Sequence, residues 1–551
     1  MKRKIYSLMI AASMVFATSC ELDLQQDPNA VNNDNAIPDF VLNSIQLEYQ
    51  ELFNEIGDDG MQLTRMINQG SAQYEGAYTP TRTNVYWTGA YSTVLADIAL
   101  LEPLAEAANF QRHLGIAKTI KAMVLMHLVD SYGDVPLSET LQGASNFNPK
   151  VDSGESIYAA ALEALNQADA HFAATSSAGT PNDYFYARNY TKWIKLINTL
   201  KLRYFLNTRL VKAAESKAGI DALIAANNFL KTGDDFIFKF GTTRADPDSR
   251  HPRFAGQYTS GGGDYQSTFY MWHLTEAKGF DDPRARYYMY RQVTANPTNS
   301  EEIECIVQIA PPQYLVANFV YCLPGTRGYW GRDHLDPDGI PPDGLKRTAW
   351  GVFPAGGRFD NNSAAPVNNP SLGSQGAGIH PIMLAAYVDF MLAESALFLG
   401  TAGSPKDLML SGIRKHMEYV RSWSLSTSQG SLISGFTADA VYATSVTNYL
   451  NFVGNQYDAA PGPGLPSKMY VIGREYWLSL YGNGVESYNL YRRTGEPSIM
   501  QPGLEENPGK FPRSFFYPLN YLTTNTNAVQ KADQSVQVFW DNNPAGNAWV
   551  D

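Results

Sequence analysis

From residue 40 to about 211 the apolar positions fall three and four apart: Val94, Ile98, Leu101; Ile116, Ile120, Val124, Leu128; Ile157, Ala161, Leu165, Ala168; Trp193, Ile197, Leu200, Tyr204. That spacing gathers them on one face of an α-helix and predicts a succession of amphipathic helices. The connections are short and punctuated: Gly133 can stop the helix that ends near Tyr132, and Pro136 keeps it from resuming. Helices paired in this way suggest tetratricopeptide-like hairpins, although no strict self-similar period is visible. Residues 231–378 lose the pattern. Gly, Pro, Asn and Asp become frequent, and the one clean strand signal is Phe236-Ile-Phe-Lys-Phe240. Helical spacing returns over 381–399, where Leu384, Val388, Met391, Leu392 and Ala396 share a face, and again over 413–423 and 474–491. The expected fold is mainly α, a superhelix of helical hairpins with a loop-rich, irregular insertion and minor β. Its parts are an N-terminal helical scaffold (40–230), the insertion (231–378) and C-terminal helices and loops (379–551).

The first 19 residues have a separate pattern. Lys2, Arg3 and Lys4 precede an apolar stretch broken only by Ser7 and Ser13, and Ala17-Thr-Ser-Cys20 closes it. A basic start, a short apolar core and small residues before the cut describe a secretory signal peptide. Small residues directly before a cysteine resemble a bacterial lipobox, so Cys20 is expected to be the lipidated first residue of the mature chain, with 20–39 as its tether. No later stretch offers about 18 uninterrupted apolar residues; the nearest, 382–399, carries Asp389 and Glu394. The chain is expected to be anchored to a membrane without spanning it.

Composition narrows the classes. Hydrophobic residues at 44%, charged residues at 17% and aromatics at 12% exclude disorder as the main state. The net charge is -12 even with the leader's three cations counted, and no basic run follows the leader. A nucleic-acid partner would need such a footprint and is not expected. Beyond Cys20 only Cys305 and Cys322 remain, either one disulfide or two buried thiols.

Chemistry-bearing motifs are missing: there is no Gly-x-Ser-x-Gly elbow, no His-Glu-x-x-His, no phosphate loop and no Cys-x-x-Cys. The eight histidines include no helical i, i+4 pair. Asp58-Asp59 and Glu301-Glu302 are adjacent carboxylates whose side chains diverge on most backbones, which suits solvated charge better than glycosidase catalysis. Placing Gly339 at the sixth position of a calcium loop puts His334 first and Leu345 twelfth, so the EF-hand reading fails. A looser calcium set of Asp333, Asp336 and Asp338 competes with aspartates that merely form turns. No catalytic group, metal or cofactor is expected. What the loops do hold is aromatic and polar side chains. Tyr74, Tyr78 and Arg82 lie in a segment without helical period, and the insertion adds Tyr265, Trp272, Tyr329, Trp330 and Asp333. Aromatic faces with polar neighbours suit sugar rings, whose C–H patches stack while their hydroxyls seek hydrogen bonds. These eight are the expected ligand contacts, though Arg332-Asp333-His334 also reads as an internal network fixing a loop. Trp87, which begins a periodic helix, reads as core.

Taken together, several motifs resemble the SusD/RagB outer-membrane lipoproteins. They are the leader with its cysteine, Tyr132-Gly-Asp-Val-Pro136 after a helix, Trp193 to Arg203 with Lys195, Asn198, Leu200 and Lys201, Arg492-Arg-Thr-Gly495, Phe511-Pro-Arg513 and Tyr517-Pro518. The middle stretch Gly331-Arg-Asp-His334, Gly339-Ile-Pro-Pro-Asp343 and Pro354-Ala-Gly-Gly357-x-Phe-Asp360 resembles one SusD-like branch. The resemblance covers nearly the whole mature chain. It implies a helical, tetratricopeptide-like fold at the surface of a Gram-negative outer membrane. It also implies a SusC-like TonB-dependent β-barrel as partner, to which the lipoprotein delivers glycans or peptides without catalysis. Abundant loop Tyr and Trp favour a glycan ligand. The alternatives are the same role with peptide ligands, a secreted glycoside-processing enzyme, and a structural or adhesive surface protein.

Overall fold

The computed structural model describes residues 36–177, 179–316, 318–337, 346–461 and 467–543. The leader, Cys20, most of the tether, Asp338 and the Gly339-Ile-Pro-Pro-Asp343 run lie outside the described residues. Numbering helices of eight residues or more, the N-terminal part contains α1 (Pro38–Leu63), α2 (Leu95–Ala107), α3 (Gln111–Tyr132), α4 (Gly154–Ala173), α5 (Tyr190–Thr208) and α6 (Ala213–Ala226). Each packs against the next, and α1 also lies against α3. The apolar stripes are the reason: Ile116, Ile120, Val124 and Leu128, and likewise Trp193, Ile197, Leu200 and Tyr204, are all buried. Helix α3 is buried almost all round, so even Thr119, His127 and Asp130 on its polar positions are enclosed. Its end matches the sequence pattern, with Gly133 at φ 79° as the stop. Side-chain caps open α4 and α5: Ser153 accepts from Ser156 N, and Asn189 accepts from Lys192 N.

The middle of the chain is irregular. It holds β1 (Phe236–Lys239), α7 (Pro252–Ser260), α8 (Thr268–Thr275), and two-residue strands β2 (Met289–Tyr290) and β3 (Ala349–Trp350), which pair antiparallel. Cys305 and Cys322 form a disulfide across a loop of this region. Strand β4 (Ile379–Met383) pairs antiparallel with β1, with Phe238 opposite His380. The helical reading of 381–399 is therefore corrected at its start: Pro381 sits in a strand, and α9 (Ala385–Leu399) begins only after Leu384.

The C-terminal helices are α10 (Pro405–Leu425), α11 (Asp439–Ala459), α12 (Lys468–Ser479) and α13 (Gly484–Thr494). Helix α9 packs on α10 and α12, and α13 returns to lie against α1. One buried apolar cluster consequently runs from Val41 to Trp540. Among the described residues no helix is long and apolar enough to cross a membrane.

Candidate functional site

The last turns of α1 present Asp58, Asp59 and Gln62 toward the loop that leads to the helical turns Tyr74–Ala77 and Asn84–Trp87. Arg82 on this loop reaches back, donating from Nη2 to Asp58 Oδ2 at 3.2 Å and to Asp59 Oδ1 at 3.0 Å. From the insertion, Arg253 on α7 donates to Asp58 Oδ1 at 2.6 Å and to Asp264 Oδ2 at 2.5 Å, and Trp350 Nε1 shares that second oxygen at 2.9 Å. The Arg253 guanidinium lies 4.9 Å from the Trp350 ring centre. Next in the chain, Tyr265 sits between two guanidinium groups, Arg347 at 4.0 Å and Arg332 at 4.6 Å from its ring centre. Its carbonyl accepts from Asn68 N at 2.9 Å, which ties the insertion to the loop after α1. One continuous set of alternating charges with an aromatic ring thus runs from Arg82 to Arg347.

This face is partly open. The side chains of Arg82, Asp264 and Asp58 are 39%, 25% and 21% exposed, and Tyr265 is half-buried. Beneath them Asp59 is enclosed; burial pushes its carboxyl up to about 7 against the pull of Arg82, and Tyr86 donates its hydroxyl to it. The arrangement offers donors and acceptors already held in place by one another, around a ring whose orientation is fixed by two cations.

The structure separates the eight expected ligand contacts. It brings Arg82 and Tyr265 to this face. Trp272 lines another cleft, of about 190 Å³, with Phe269, Lys278, Phe319 and Arg474. The remaining five are buried and hold the loops in place. The Tyr74 hydroxyl accepts from Arg65 Nη2 at 3.0 Å and lies 3.1 Å from His334 Nε2. Tyr78 packs its ring 5.4 Å from Phe515. Tyr329 donates its hydroxyl to Asp360 Oδ2 at 2.8 Å, under Arg291. Trp330 packs with Ile303 and Cys322. Asp333 accepts from Cys322 N at 2.8 Å and from Gln501 Nε2 at 2.7 Å. The loop reading is corrected at two positions, since Tyr74 opens the helical turn Tyr74–Ala77 and Trp272 lies in α8; elsewhere the segments are irregular but lie on a large scaffold, where an amphipathic ring is buried once its hydroxyl finds a partner. Asp58, Arg253, Asp264, Arg332 and Arg347 complete the face. Their sequence signal was only adjacency to Arg82 and Tyr265 or charge in an irregular segment.

Among the described residues no group of three or more His, Cys, Asp or Glu could hold a metal ion. In the looser calcium set, Asp333 is committed to the disulfide loop and Gln501, Asp336 faces Arg332 Nη1 at 3.3 Å, and Asp338 is outside the described residues.

Asp333 gives a pH prediction. Burial pushes its carboxyl up to about 7, whereas an aspartate in the unfolded chain titrates near 3.9. Between those values the folded chain holds a proton that the unfolded chain has lost, so this group makes stability fall as pH rises from about 4 to about 7. The slope approaches 1.4 kcal/mol per pH unit at most, roughly the value of one proton. Denaturant unfolding at pH 5, 6 and 7 is expected to show a shallower decline in Asp333→Asn than in the parent, and parallel declines would refute the assignment.

The chain belongs to the SusD-like family, described as starch-binding and associating with the outer membrane, whose model matches residues 28–308 and 352–518. Solved structures share the fold. A SusD/RagB family protein from Bacteroides thetaiotaomicron superposes with a TM-score of 0.63 at 16% identity, covering 93% of this chain and 100% of that one. A chitin-binding SusD homologue from Flavobacterium johnsoniae gives 0.60 at 16% identity, covering 91% and 99%. A further chitin-binding protein gives 0.62 at 20% identity, covering 90% and 99%. No curated protein sequence matches the chain.

Proposed function

We propose that this protein binds oligosaccharides at the cell surface and delivers them, without turnover, to a SusC-like TonB-dependent β-barrel in the outer membrane. In this reading Cys20 carries the lipid anchor, residues 20–39 tether the body to it, and the partly open face of Asp58, Arg82, Asp264 and Tyr265, backed by the buried Arg332 and Arg347, contacts the ligand. The observation that carries the reading is Tyr265, a half-buried ring held between Arg332 and Arg347 beside the partly exposed Asp58, Arg82 and Asp264. With the ring faces taken by Arg332 and Arg347, the face offers a saccharide the ring's edge and the fixed polar groups of Asp58, Arg82 and Asp264, which suit hydroxyls seeking donors and acceptors. Membership of a family described as starch-binding, and a fold shared with chitin-binding proteins, supports a glycan ligand. The same alternating charges also suit peptide termini and side chains, so peptides are the second reading.

The test is calorimetric titration of the mature chain with maltohexaose, chitohexaose and a mixed peptide pool. Saturable binding of one saccharide without products is expected, weakened about tenfold by Tyr265→Ala, which is about 1.4 kcal/mol, and also weakened by Arg82→Ala. Affinity unchanged in a folded Tyr265→Ala protein would remove this face from the site. Binding of peptides alone would replace the glycan ligand, and accumulation of cleaved sugar would replace binding by catalysis.

A further inference from the structure

A second cleft, sharing no residue with the Arg82–Arg347 face, opens between the start of the second helical segment, the loop at 136–149 and the short helix Leu519–Thr524. Its volume is about 290 Å³, close to the lower limit of small-ligand pockets and suited to one or two sugar rings. Trp87 stacks on Tyr521 at 4.4 Å between ring centres and leans on Tyr91 at 4.6 Å, so aromatic carbon forms much of the lining.

Two features of this cleft are unexplained by the fold alone. First, Phe147 also lines it and is 71% exposed. Its loop is pinned to the C-terminal segment: Asn525 Nδ2 donates to Pro149 O at 2.9 Å, Thr526 N to Asn148 Oδ1 at 2.8 Å, and Asn527 Nδ2 to Asn148 O at 2.7 Å. A large apolar ring is therefore kept in water at a fixed position, although burying it would be favourable. Second, the side chain of Tyr521 is among the buried ones, at 5% exposure, yet its hydroxyl has no hydrogen-bond partner among the described residues. An unsatisfied buried hydroxyl is costly, and its presence in a ligand-sized cleft points to a partner supplied from outside.

The lining also restricts the chemistry of that partner. It contains Glu139, Asn146 and Asn525 but no Lys or Arg, and the neighbouring Lys150 is paired with Glu139 at 3.3 Å, so the rim carries a matched charge pair and not a cation free for a phosphate, sulfate or uronate. Glu139 accepts at Oε2 from Lys150 N at 3.0 Å and Asn146 Nδ2 at 3.3 Å and meets Lys150 Nζ at Oε1 at 3.3 Å, so it is a fixed, paired carboxylate at the rim whose remaining lone pairs can accept from hydroxyls. Stacking rings, a hydroxyl in need of a partner and a fixed acceptor match a neutral pyranose better than a hydrocarbon or an anion.

We propose that this cleft is a second saccharide subsite, taking one pyranose unit of a neutral oligosaccharide between Phe147 and Tyr521. The proposal rests on the glycan-binding reading above and adds a separate docking point, through which a longer chain can be held at two places and gain in effective concentration.

The test uses the full mature chain titrated with maltohexaose and chitohexaose, comparing Phe147→Ala, Tyr521→Phe and Tyr265→Ala. The parent is expected to show two classes of site. Phe147→Ala and Tyr521→Phe should each weaken one class about tenfold and leave the other, while Tyr265→Ala does the reverse. Because the Tyr521 hydroxyl has no partner among the described residues, Tyr521→Phe should melt at or above the parent's temperature while losing affinity, a pairing that a purely structural tyrosine would not give. A single class of site lost in Tyr265→Ala and untouched in the other two would overturn the second subsite and leave the first reading standing. No binding of either sugar by the parent would overturn both.

Discussion

Replacing Arg493 with alanine is expected to cost about 3–5 kcal/mol, the usual consequence of removing one member of a buried ion cluster, and to leave little folded protein at 37 °C. Arg493 is fully enclosed in the last turn of α13. It donates from Nε to Glu394 Oε1 at 2.8 Å and from Nη2 to Glu394 Oε2 at 3.0 Å and Glu486 Oε1 at 3.2 Å, while Nη1 reaches Asn207 Oδ1 at 2.7 Å. Arg209, just past the end of α5, adds a second cation on Glu394 at 3.0 Å. One guanidinium therefore joins α5, α9 and α13. Burial pushes both carboxyls up; at Glu394 the two arginines outweigh it and the result lies below the ordinary value, whereas at Glu486 burial prevails. Without Arg493, Glu394 keeps Arg209 while Glu486 loses its ion pair and keeps only the longer-range pull of Arg203, so the two buried acids are left under-compensated. The lowered Glu394 value has a sign of its own: its contribution is present above the unfolded value near 4.3 and is lost as pH falls through the folded one. Denaturant unfolding measures the loss, and Glu486→Gln added to Arg493→Ala should recover part of it. A loss below about 1 kcal/mol, typical of an exposed pair, would show that the cluster does not hold the helices.

This cluster marks the limit of what the sequence reveals. Arg492-Arg493 reads as a pair of cations at a helix C-terminus, where they favour the macrodipole. That position is correct, but beside Glu486 on the same helix the partners Glu394 and Asn207 lie 99 and 286 residues away along the chain, and no local pattern names them. Local signals did carry the scaffold: the stripes of α3 and α5, the stop at Gly133 and the strand at Phe236 all depend on neighbours within one element. Strand β1 was legible, while its partner β4 was not, because Ile379, Ile382 and Met383 also fit a helix face and only long-range pairing decides. Helix α6 left almost no stripe because only Ser216 and Ile220 of it are buried, and α11 is rich in Val, Thr and Tyr, which favour strands. The site suffered most. A tyrosine in a loop looks alike whether its ring faces water or, like Tyr74, meets a histidine 260 residues away. Trp87, read as core, is half-buried and lines a cleft because Tyr521 covers one side of it.

The second large effect is expected at Gly484, where alanine should destabilise the protein by about 1–3 kcal/mol or more and disturb the ligand face with it. A Cβ on Gly484 would stand 1.9 Å from Gly57 O and 2.3 Å from Met61 N, and one on Gly60 would stand 2.2 Å from Gly484 O. Helices α1 and α13 therefore meet backbone to backbone, and no side chain can rotate to make room. The helices would have to part, straining the bond from Ser487 Oγ to Thr64 Oγ1 at 2.8 Å and that from Trp477 Nε1 to Thr64 O at 2.8 Å. Gly57 is the internal control. A Cβ there finds its nearest neighbours only at 3.9 Å, so Gly57→Ala should be neutral or should stabilise by up to about 1 kcal/mol through helix propensity. Thermal unfolding of the two variants should move in opposite directions or differ by several degrees; equal shifts would mean that the close crossing is not what holds the helices. The crossing lies in the same turns of α1 that carry Asp58, Asp59 and Gln62. A Gly484→Ala protein that still folds should therefore also bind ligand more weakly, because the carboxylates that position Arg82 and Arg253 move with the helix.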